Sequence, residues 1–300
     1  MQKIKIRLPA SVVNLGPGLN SLGLALSLYT TIEISARNDE VLNVETVGEG
    51  AGRYATGLRH PVVLALARVF QRLERAPFGI SIRVENSIPV NCGLGAETAF
   101  LLAGVIGANN LMGNVYTRDQ TLEIAAHISR ADSAVSAMLG GLSTSIMDDE
   151  KLYYRTLPSA PLRVVILVPE LEKYTRPTPP ERVPFVGASH NLSRLPLFMD
   201  AFRTGDLKLL GLTLPDQLQL PRLIPQITNY AYVVDVVKDA GAVGVTVAGE
   251  GPALLVFGDD KKLDKVAVAG VKAFNNVGVK ARSWVVPVDT QGVIISVMGR

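Results

Sequence analysis

Residues 88–98 read IPVNCGLGAET, and the stretch that follows, from Thr98 to Leu111, has the Ala- and Leu-rich composition of a helix. A glycine-rich loop in front of a helix offers unpaired backbone N–H groups and the positive end of the helix dipole, and these bind phosphate. The loop is not a Walker P-loop, because the Gly-Lys-Ser/Thr ending is absent. Taken alone, the same residues also fit a plain helix cap, so a phosphate site is one of two interpretations.

A second glycine-bearing segment lies near the beginning of the chain, where residues 14–23 read NLGPGLNSLG. Glycines let the backbone turn tightly and approach a ligand. The side chains of Asn14 and Asn20 can hydrogen-bond a small polar substrate. A surface turn rich in Asn and Gly is the alternative interpretation, and the pattern leaves both open.

A third such segment, VAGEGPA at residues 247–253, lies between two apolar runs. Its glycines, Gly249 and Gly251, indicate a tight passage near another backbone. A hairpin turn is the simpler interpretation when the segment is taken alone.

The remaining pattern predicts an α+β protein in two halves. Apolar residues alternate at Ile4, Ile6 and Leu8, as in a half-buried strand, and helical spacing occurs within residues 60–73. The character of the sequence changes from Leu152 onwards, so we expect two α+β halves joined near residue 155. Further strands are expected at 28–36, 79–84, 162–168, 243–247, 253–257, 281–286 and 293–297, and further helices at 118–130, 134–139, 192–204, 223–240 and 261–277.

The composition is that of a soluble globular protein, with 48% hydrophobic and 19% charged residues in a chain of 300. No apolar run approaches the roughly 20 residues that span a bilayer, so we expect no membrane partner. The single cysteine, Cys92, and the lack of a signal-peptide pattern predict a cytoplasmic protein. The net charge of +3 is not gathered into a basic stripe, so we expect no nucleic-acid partner.

The order of these segments resembles that of the GHMP kinase superfamily, and of its homoserine kinases in particular. Residues 9–26 resemble the homoserine kinase opening PATSANLGPGFDSLGLAL, and residues 88–98 resemble the phosphate loop PxxxGLGSSAA. Residues 132–141 are similar to HPDNVAPALLGG, residues 191–194 match another homoserine kinase stretch, and residues 247–253 are similar to SGAGPS. The resemblance covers nearly the whole chain in the same order.

This resemblance implies a two-domain GHMP kinase fold. Residues 1–155 would form the ATP-binding N-terminal domain, similar to domain 2 of ribosomal protein S5, and residues 156–300 a ferredoxin-like C-terminal domain. ATP would lie on the glycine-rich loop, and the small substrate would lie between the two halves. The cofactor-binding residues that it implies are Pro89, Gly93, Leu94, Gly95, Ala96, Glu97, Thr98, Gly249 and Gly251.

The phosphate loop departs from the family at two positions. Family members have two serines after GLG, the second of which helps to hold Mg²⁺, whereas this chain has Ala96 and Glu97. A glutamate can bind Mg²⁺, a hard cation that accepts carboxylates, or it can stabilise a helix N-terminus without any ligand. The family's other Mg²⁺ carboxylate falls on Glu123. The resemblance therefore implies ATP and Mg²⁺ as cofactors, with Glu97 and Glu123 as candidate metal ligands.

The expected acceptor site departs from the family as well. The HPDN motif becomes residues 130–133, RADS, and the GFD aspartate, which would pair with a substrate ammonium, is Asn20. The candidate catalytic residues are Asp132, as a general base or else a helix cap, and Asn14. The family's carboxylate-binding arginines have no clear counterpart, although two arginines lie nearby in sequence. The substrate-binding candidates are Asn14, Asn20, Arg130, Ser133, Arg182 and Arg222.

Two functional hypotheses follow from the resemblance. In the first, the protein transfers the γ-phosphate of ATP to the hydroxyl of L-homoserine, a step of threonine biosynthesis, or of a related small metabolite. In the second, which the substituted motif positions favour, it is a diverged and catalytically impaired homologue that serves as a small-molecule-binding or regulatory protein. The resemblance also implies a homodimer, although the sequence indicates no dimer face.

Overall fold

The structure, a computed structural model, describes residues 3–298, which form eleven strands and nine α-helices. The strands are β1 (Lys3–Val13), β2 (Leu22–Arg37), β3 (Leu42–Gly48), β4 (Gly79–Asn86), β5 (Leu142–Asp148), β6 (Lys151–Leu157), β7 (Arg163–Pro169), β8 (Ala242–Val247), β9 (Leu254–Gly258), β10 (Ala281–Pro287) and β11 (Ile294–Met298). The helices are α1 (Pro61–Leu73), α2 (Ala96–Leu111), α3 (Arg118–Ile128), α4 (Ala131–Leu139), α5 (Phe185–Thr204), α6 (Leu207–Thr213), α7 (Leu220–Leu223), α8 (Tyr230–Ala240) and α9 (Leu263–Asn276).

The first sheet is built around the long antiparallel pair β1 and β2. Its main path runs β11-β1-β2-β4-β3, and β5 and β6 extend it from the other end of β2. The alternating residues Ile4, Ile6 and Leu8 are 0% exposed, because a strand turns every second side chain to the same face. This buried face packs against α2 and α4. The sheet thereby brings the end of β1 next to the N-terminal ends of both helices, where the glycine segments lie.

The second sheet is a four-stranded antiparallel layer of order β10-β7-β9-β8. Helices α8 and α9 cover one of its faces with a separate apolar core. On its other side, Phe202 of α5 packs against Phe198 of the same helix and Phe257 of β9, with ring centroids 5.1 and 5.8 Å apart. These three phenylalanines belong to the core that also contains the first sheet. Because the two sheets share this close-packed core, the turn between β8 and β9 is held in a fixed position relative to the loops of the first sheet.

The predicted boundary near residue 155 falls close to the end of β6, where the chain leaves the first sheet for the second. The last strand, β11, then returns to the first sheet and pairs antiparallel with β1. No helix within residues 3–298 is long and apolar enough to cross a membrane.

The predicted helix at 60–73 is confirmed as α1, but the predicted helix at 223–240 is wrong as a single element. The chain there forms α7, a short 3-10 turn and then α8. Pro225 has no backbone N–H to donate, and Asn229 has a φ of +52°, outside the helical region. These two residues explain the interruption.

His60 is a buried histidine that caps α1. Its Nδ1 accepts a hydrogen bond from the backbone N–H of Val62 at 3.2 Å, and its Nε2 lies 3.1 Å from the Thr46 hydroxyl. The side chain is 0% exposed. Because burial disfavours the charged imidazolium, the pKa of His60 is lowered to about 4.

We expect His60 to make the protein less stable as the pH falls from 6.5 towards 4. In this window the unfolded chain binds a proton that the folded chain does not, so the free energy of unfolding decreases with decreasing pH. His60→Asn retains a capping side chain but cannot titrate. Between pH 7 and pH 4.5 the wild type should lose about 2 to 3 kcal/mol more than His60→Asn in urea melts. An identical pH dependence of the two proteins would contradict this account.

Candidate active site

The glycine-rich loop and the N-terminus of α2 form the floor of a cavity of about 410 Å³. Gly95 is the N-cap of α2, with a φ of +74° and no side-chain cap. The first helical hydrogen bond runs from Ala99 N to Gly95 O, so the N–H groups of residues 96–98 have no partner within the helix. A Cβ on Gly95 would overlap the hydroxyl of Ser11, which shows how closely β1 approaches the loop. The arrangement matches an anion site at a helix N-terminus.

The turn between β8 and β9 docks directly on this loop. The backbone N–H of Ala253 donates to the carbonyl of Cys92 at 3.0 Å, and a Cβ on Gly93 would overlap the carbonyl oxygen of Ala248. Gly249 has a φ of +54° and lies against Gly93. The third glycine segment is therefore both a hairpin turn and a close backbone approach, and both interpretations of it are confirmed.

Arg130 organises a polar cluster at the wall of the cavity. Its Nε and Nη2 donate to the two carboxylate oxygens of Asp132 at 3.2 and 3.0 Å. Nη2 also donates to the side-chain oxygens of Asn14 at 3.1 Å and Asn20 at 3.0 Å. Although burial works against it, pairing with Asp132 raises the pKa of Arg130 above its usual value. The guanidinium is therefore a permanent and firmly held positive charge.

Asn14 is buried, at 4% exposure, whereas Asn20 is exposed, so the first glycine segment begins in the interior and reaches the surface. Its φ is +56°, and its Oδ1 also accepts a hydrogen bond from the backbone N–H of Asn20 at 2.9 Å. Its Nδ2 has no hydrogen-bond partner among the described residues. Ser133 is likewise buried and shares a 2.7 Å hydrogen bond with Ser11.

Glu250 is held between two arginines on the wall of the cavity. Its Oε2 lies 3.1 Å from Arg176 Nε, and its Oε1 lies 3.1 Å from Arg222 Nη2. Arg222 also donates to the carbonyl of Pro177 at 2.5 Å, and the Tyr174 hydroxyl donates to the carbonyl of Glu250 at 2.6 Å. The side chain of Arg176 is 70% exposed, whereas that of Arg222 is 15% exposed. Arg176 therefore keeps most of its guanidinium available to a ligand.

Tyr54 forms a side wall of the cavity. Its ring packs edge-on against Phe100 of α2, with centroids 5.2 Å apart, and is tilted against His60 at 5.6 Å. Burial, with a smaller contribution from the nearby Glu97 carboxylate, raises the pKa of Tyr54 to about 12. The phenol is therefore neutral at physiological pH, and its ring offers an apolar edge to a planar group.

The structure brings most of the predicted site residues together. Arg130 lines both the cavity and a second pocket, of about 340 Å³, which Asn20 and Asp132 also line. Gly251 lies in the same turn as Gly249, and its N–H donates to Ala248 O at 2.8 Å. The predicted residues that line the cavity itself are Pro89, Gly93, Leu94, Gly95, Ala96, Glu97, Thr98, Arg130, Ser133 and Gly249.

The two predicted metal ligands and Arg182 lie in different surroundings: Glu97 lines the cavity, whereas Glu123 and Arg182 do not. Glu97 is exposed in the first turn of α2 and makes no capping hydrogen bond there. Glu123 is not among the residues that line the cavity, and its Oε1 accepts a hydrogen bond from Leu152 N at 3.2 Å. Arg182 is exposed in the segment before α5 and is not among those lining residues either. Residues 3–298 contain no group of three or more His, Cys, Asp or Glu side chains arranged to hold a metal ion.

Asp132 does not act as a cap for Ala134, because α4 begins at Ala131 with Arg130 as its N-cap. Its Oδ1 accepts a hydrogen bond from the N–H of Ser133 at 3.0 Å, while the carboxylate as a whole faces Arg130. The carboxylate is 4% exposed. Its observed role is to hold the guanidinium of Arg130.

The lining residues that sequence reasoning missed include Ser11, Tyr54, Arg176 and Glu250. Ser11 lies within the residues 9–26 that carry the family resemblance, so that resemblance could have indicated it. Glu250 stands where the family motif SGAGPS has an alanine, so comparison with that motif could have indicated it. Nothing in the local sequence around Tyr54 or Arg176 indicates a site, because both reach the cavity through tertiary contacts.

Comparison with known proteins gives a consistent result. Residues 61–141 match the sequence model of the GHMP kinases N terminal domain, and residues 198–276 match that of the GHMP kinases C terminal domain. Homoserine kinase of Moorella thermoacetica is 33% identical over 92% of this chain and 94% of that protein. Homoserine kinase of Carboxydothermus hydrogenoformans is 31% identical over 92% of this chain and 91% of its own length.

The fold agrees with these matches. The crystal structure of homoserine kinase from Cytophaga hutchinsonii superposes with a TM-score of 0.87 at 23% identity, covering 98% of this chain and 97% of that one. The chain therefore belongs to the GHMP kinase family, and the predicted two-domain α+β fold is confirmed. Within that family, the two relatives named above, which this chain covers over more than nine tenths of their length, are homoserine kinases.

Proposed function

We propose that the protein transfers the γ-phosphoryl group of ATP to the hydroxyl group of L-homoserine. The observation that carries this proposal is that one cavity joins the N–H groups at the start of α2 to the pair formed by Arg176 and Glu250. The N–H groups suit phosphate, and Arg176 and Glu250 present a positive and a negative charge side by side, as an amino acid requires. The two relatives named above are homoserine kinases.

The phosphate end of the cavity fits a nucleotide. The N–H groups of residues 96–98 have no partner within the helix. Gly95, which precedes them, has no side chain, and β1 packs closely against it at Ser11. Tyr54 supplies an aromatic edge on the side wall, where a purine base would find an apolar neighbour. These features support ATP as the phosphoryl donor.

Magnesium would be held chiefly by the phosphates and by Glu97. Mg²⁺ is usually bound by one or two carboxylates together with substrate phosphates and water, and Glu97 lies in the first turn of the helix that carries the phosphate loop. Glu123, the other predicted ligand, is engaged with Leu152 N. When bound, the ion would neutralise phosphate charge next to the loop.

The acceptor would be positioned by the charges of Arg176 and Glu250, which line the same cavity. Its carboxylate would pair with the exposed guanidinium of Arg176, and its ammonium with the carboxylate of Glu250. This compensates for Asn20, which offers no negative charge. Among these groups Arg222 holds Glu250 in place, since it is mostly buried.

The transfer itself forms one bond and breaks one. The hydroxyl oxygen of the acceptor bonds to the γ-phosphorus, the bond from the γ-phosphorus to the β,γ-bridging oxygen breaks, and ADP leaves with that electron pair. The hydroxyl proton passes to water, because Asp132, the predicted base, is already engaged with Arg130. In such reactions positioning and charge stabilisation supply most of the rate. The single buried cysteine supports a cytoplasmic location for this activity.

The proposal is tested by following ATP, Mg²⁺ and L-homoserine with the purified protein by ³¹P NMR. We expect ADP and one phosphomonoester to appear in equal amounts, and neither to appear without L-homoserine. The same reaction with L-serine or a sugar measures acceptor selectivity. Absence of any phosphomonoester would overturn the proposal and favour a binding protein built on a kinase fold.

Arg176→Gln should raise the KM for L-homoserine about tenfold, the effect of losing one charge-assisted hydrogen bond worth roughly 1.4 kcal/mol. The KM for ATP should change less, because the backbone N–H groups at the start of α2 that would hold the phosphates are unchanged. The fold should be unaffected, since Arg176 is 70% exposed. Steady-state kinetics measures both constants.

Two controls make this test specific. Arg203→Gln removes an exposed arginine that pairs with Asp200 on α5, and it should leave both constants unchanged. 3-Aminopropan-1-ol has the hydroxyl and ammonium groups of homoserine but no carboxylate, so Arg176→Gln should not weaken its use. An equal loss with both acceptors would contradict the role given to Arg176.

A further inference from the structure

Arg130 borders two neighbouring pockets. It lines the cavity above the phosphate loop, and it also lines the second pocket together with Asn20 and Asp132. Ser133, the third residue after it, shares the cavity wall with Ser11. Any group that moves away from the loop towards the polar cluster therefore approaches this guanidinium.

The hydrogen bonds of Arg130 leave one nitrogen for a ligand. Nε and Nη2 make all four of its hydrogen bonds, to Asp132, Asn14 and Asn20. Nη1 has no acceptor among residues 3–298, and it is not one of the buried atoms that lack a partner. A guanidinium has two N–H groups on each terminal nitrogen, so two donors are free and accessible.

The surroundings hold this free edge in place before any ligand arrives. Asp132 is 4% exposed and fixes the guanidinium through two oxygens, while two side-chain amides fix Nη2 from the other side. A donor that is already oriented stabilises developing charge without reorganising at the moment of reaction. Lysine cannot copy this arrangement, because its single ammonium cannot hold Asp132 and also present a fixed pair of N–H groups.

We propose that Arg130 is a catalytic residue whose Nη1 donates to an oxygen of the γ-phosphoryl group during transfer. This inference rests on the proposed function and adds to it a stabilising cation that belongs to the chain itself. The phosphoryl group carries its charge on three oxygens as the bond to ADP breaks and the bond to the acceptor oxygen forms. The guanidinium offsets that charge and itself gains or loses no proton.

The test compares Arg130→Lys and Arg130→Ala with the wild type. Arg130→Lys keeps a cation beside Asp132 and should fold, with a melting temperature near that of the wild type. We expect its kcat to fall about 10²-fold or more, as when one preorganised donor is removed, with KM values for ATP and acceptor within about threefold. Arg203→Gln, the remote arginine variant, should keep the wild-type kcat.

Chemical rescue separates catalysis from structure. Added guanidinium ion, at millimolar concentrations that do not unfold the protein, should restore part of the kcat of Arg130→Ala with saturation, and urea at equal concentration should not. A wild-type kcat in Arg130→Lys would overturn the inference. It would also be overturned if the loss lay in the KM for the acceptor alone, since Arg130 would then bind the acceptor and not the phosphoryl group.

Failure of this inference and failure of the proposed function can be told apart. If the wild type does not phosphorylate L-homoserine, the proposed function fails. The role of Arg130 can then still be tested by comparing the rates at which the wild type and the Arg130 variants hydrolyse ATP with water as the acceptor. If the wild type does phosphorylate L-homoserine and the Arg130 variants keep its kcat, only the inference fails.

Discussion

Gly93→Ala should weaken nucleotide binding and destabilise the fold. Gly93 has a φ of +89°, and a Cβ there would overlap the carbonyl oxygen of Ala248 and lie 2.8 Å from its carbonyl carbon and 3.0 Å from Gly251 N. All three obstacles are backbone atoms, so no side-chain rotation relieves the overlap. The β8–β9 turn must separate from the phosphate loop, and the hydrogen bond from Ala253 N to Cys92 O is lost with it.

We expect the free energy of unfolding to fall by about 3 kcal/mol or more, which combines an unfavourable φ with overpacking. Affinity for an ATP analogue should fall at least about tenfold, which corresponds to 1.4 kcal/mol. Gly113→Ala is a matched control, because Gly113 has a φ of +88° but no atom within 4 Å of its Cβ position. If both variants lost the same stability, the close contact between the two loops would not matter.

Asp216→Ala is the second variant for which we expect a large effect, a loss of stability. The carboxylate of Asp216 is 7% exposed and accepts four hydrogen bonds. They come from Asn191 Nδ2 at 2.6 Å, Leu218 N at 2.9 Å, Gln219 N at 2.8 Å and Leu220 N at 2.7 Å. Alanine leaves four donors without their acceptor, and three of these hydrogen bonds are buried. We expect the free energy of unfolding to fall by about 3 to 5 kcal/mol, measured by urea denaturation.

The consequence should extend to the active site. Gln219, whose backbone Asp216 holds, donates from its side chain to the carbonyl of Gly249 in the β8–β9 turn. Asp206→Ala is the control, because Asp206 caps α6 with one hydrogen bond, to Leu209 N, and should cost only about 1 kcal/mol. A loss in Asp216→Ala no larger than in this control would contradict the network.

The fold was largely predictable because its signals are local. Strands such as β7 and β9 consist almost entirely of apolar residues. Every residue of β9 is buried, and every residue of β7 except the first is buried. The missed strand β6 reads KLYYRTL and has a single buried residue, Leu152, so it carries no clear alternation. The missed helix α6 has only seven residues and includes Gly211, which sits against the backbone of Val243. Tertiary packing, not local preference, forms these two elements.

The candidate site was predictable only in part. The glycines of the loops are indicated by sequence, because close backbone approach and positive φ require them wherever they occur. The Arg176–Glu250–Arg222 arrangement is not, since it joins three distant segments whose contact only the fold creates. The surroundings of Glu123, the other predicted metal ligand, could not be predicted for a similar reason. Its hydrogen-bond donor, Leu152 N, belongs to β6, which the sequence did not predict.

The central claim is that one cavity binds a nucleotide and then an amino-acid acceptor. Calorimetric titration with a non-hydrolysable ATP analogue and Mg²⁺, followed by L-homoserine, tests it most directly. We expect one nucleotide to bind per chain at submillimolar concentration, and L-homoserine to bind to that complex, with weaker binding of the acceptor in Arg176→Gln. Absence of heat from either ligand at millimolar concentration would contradict the claim.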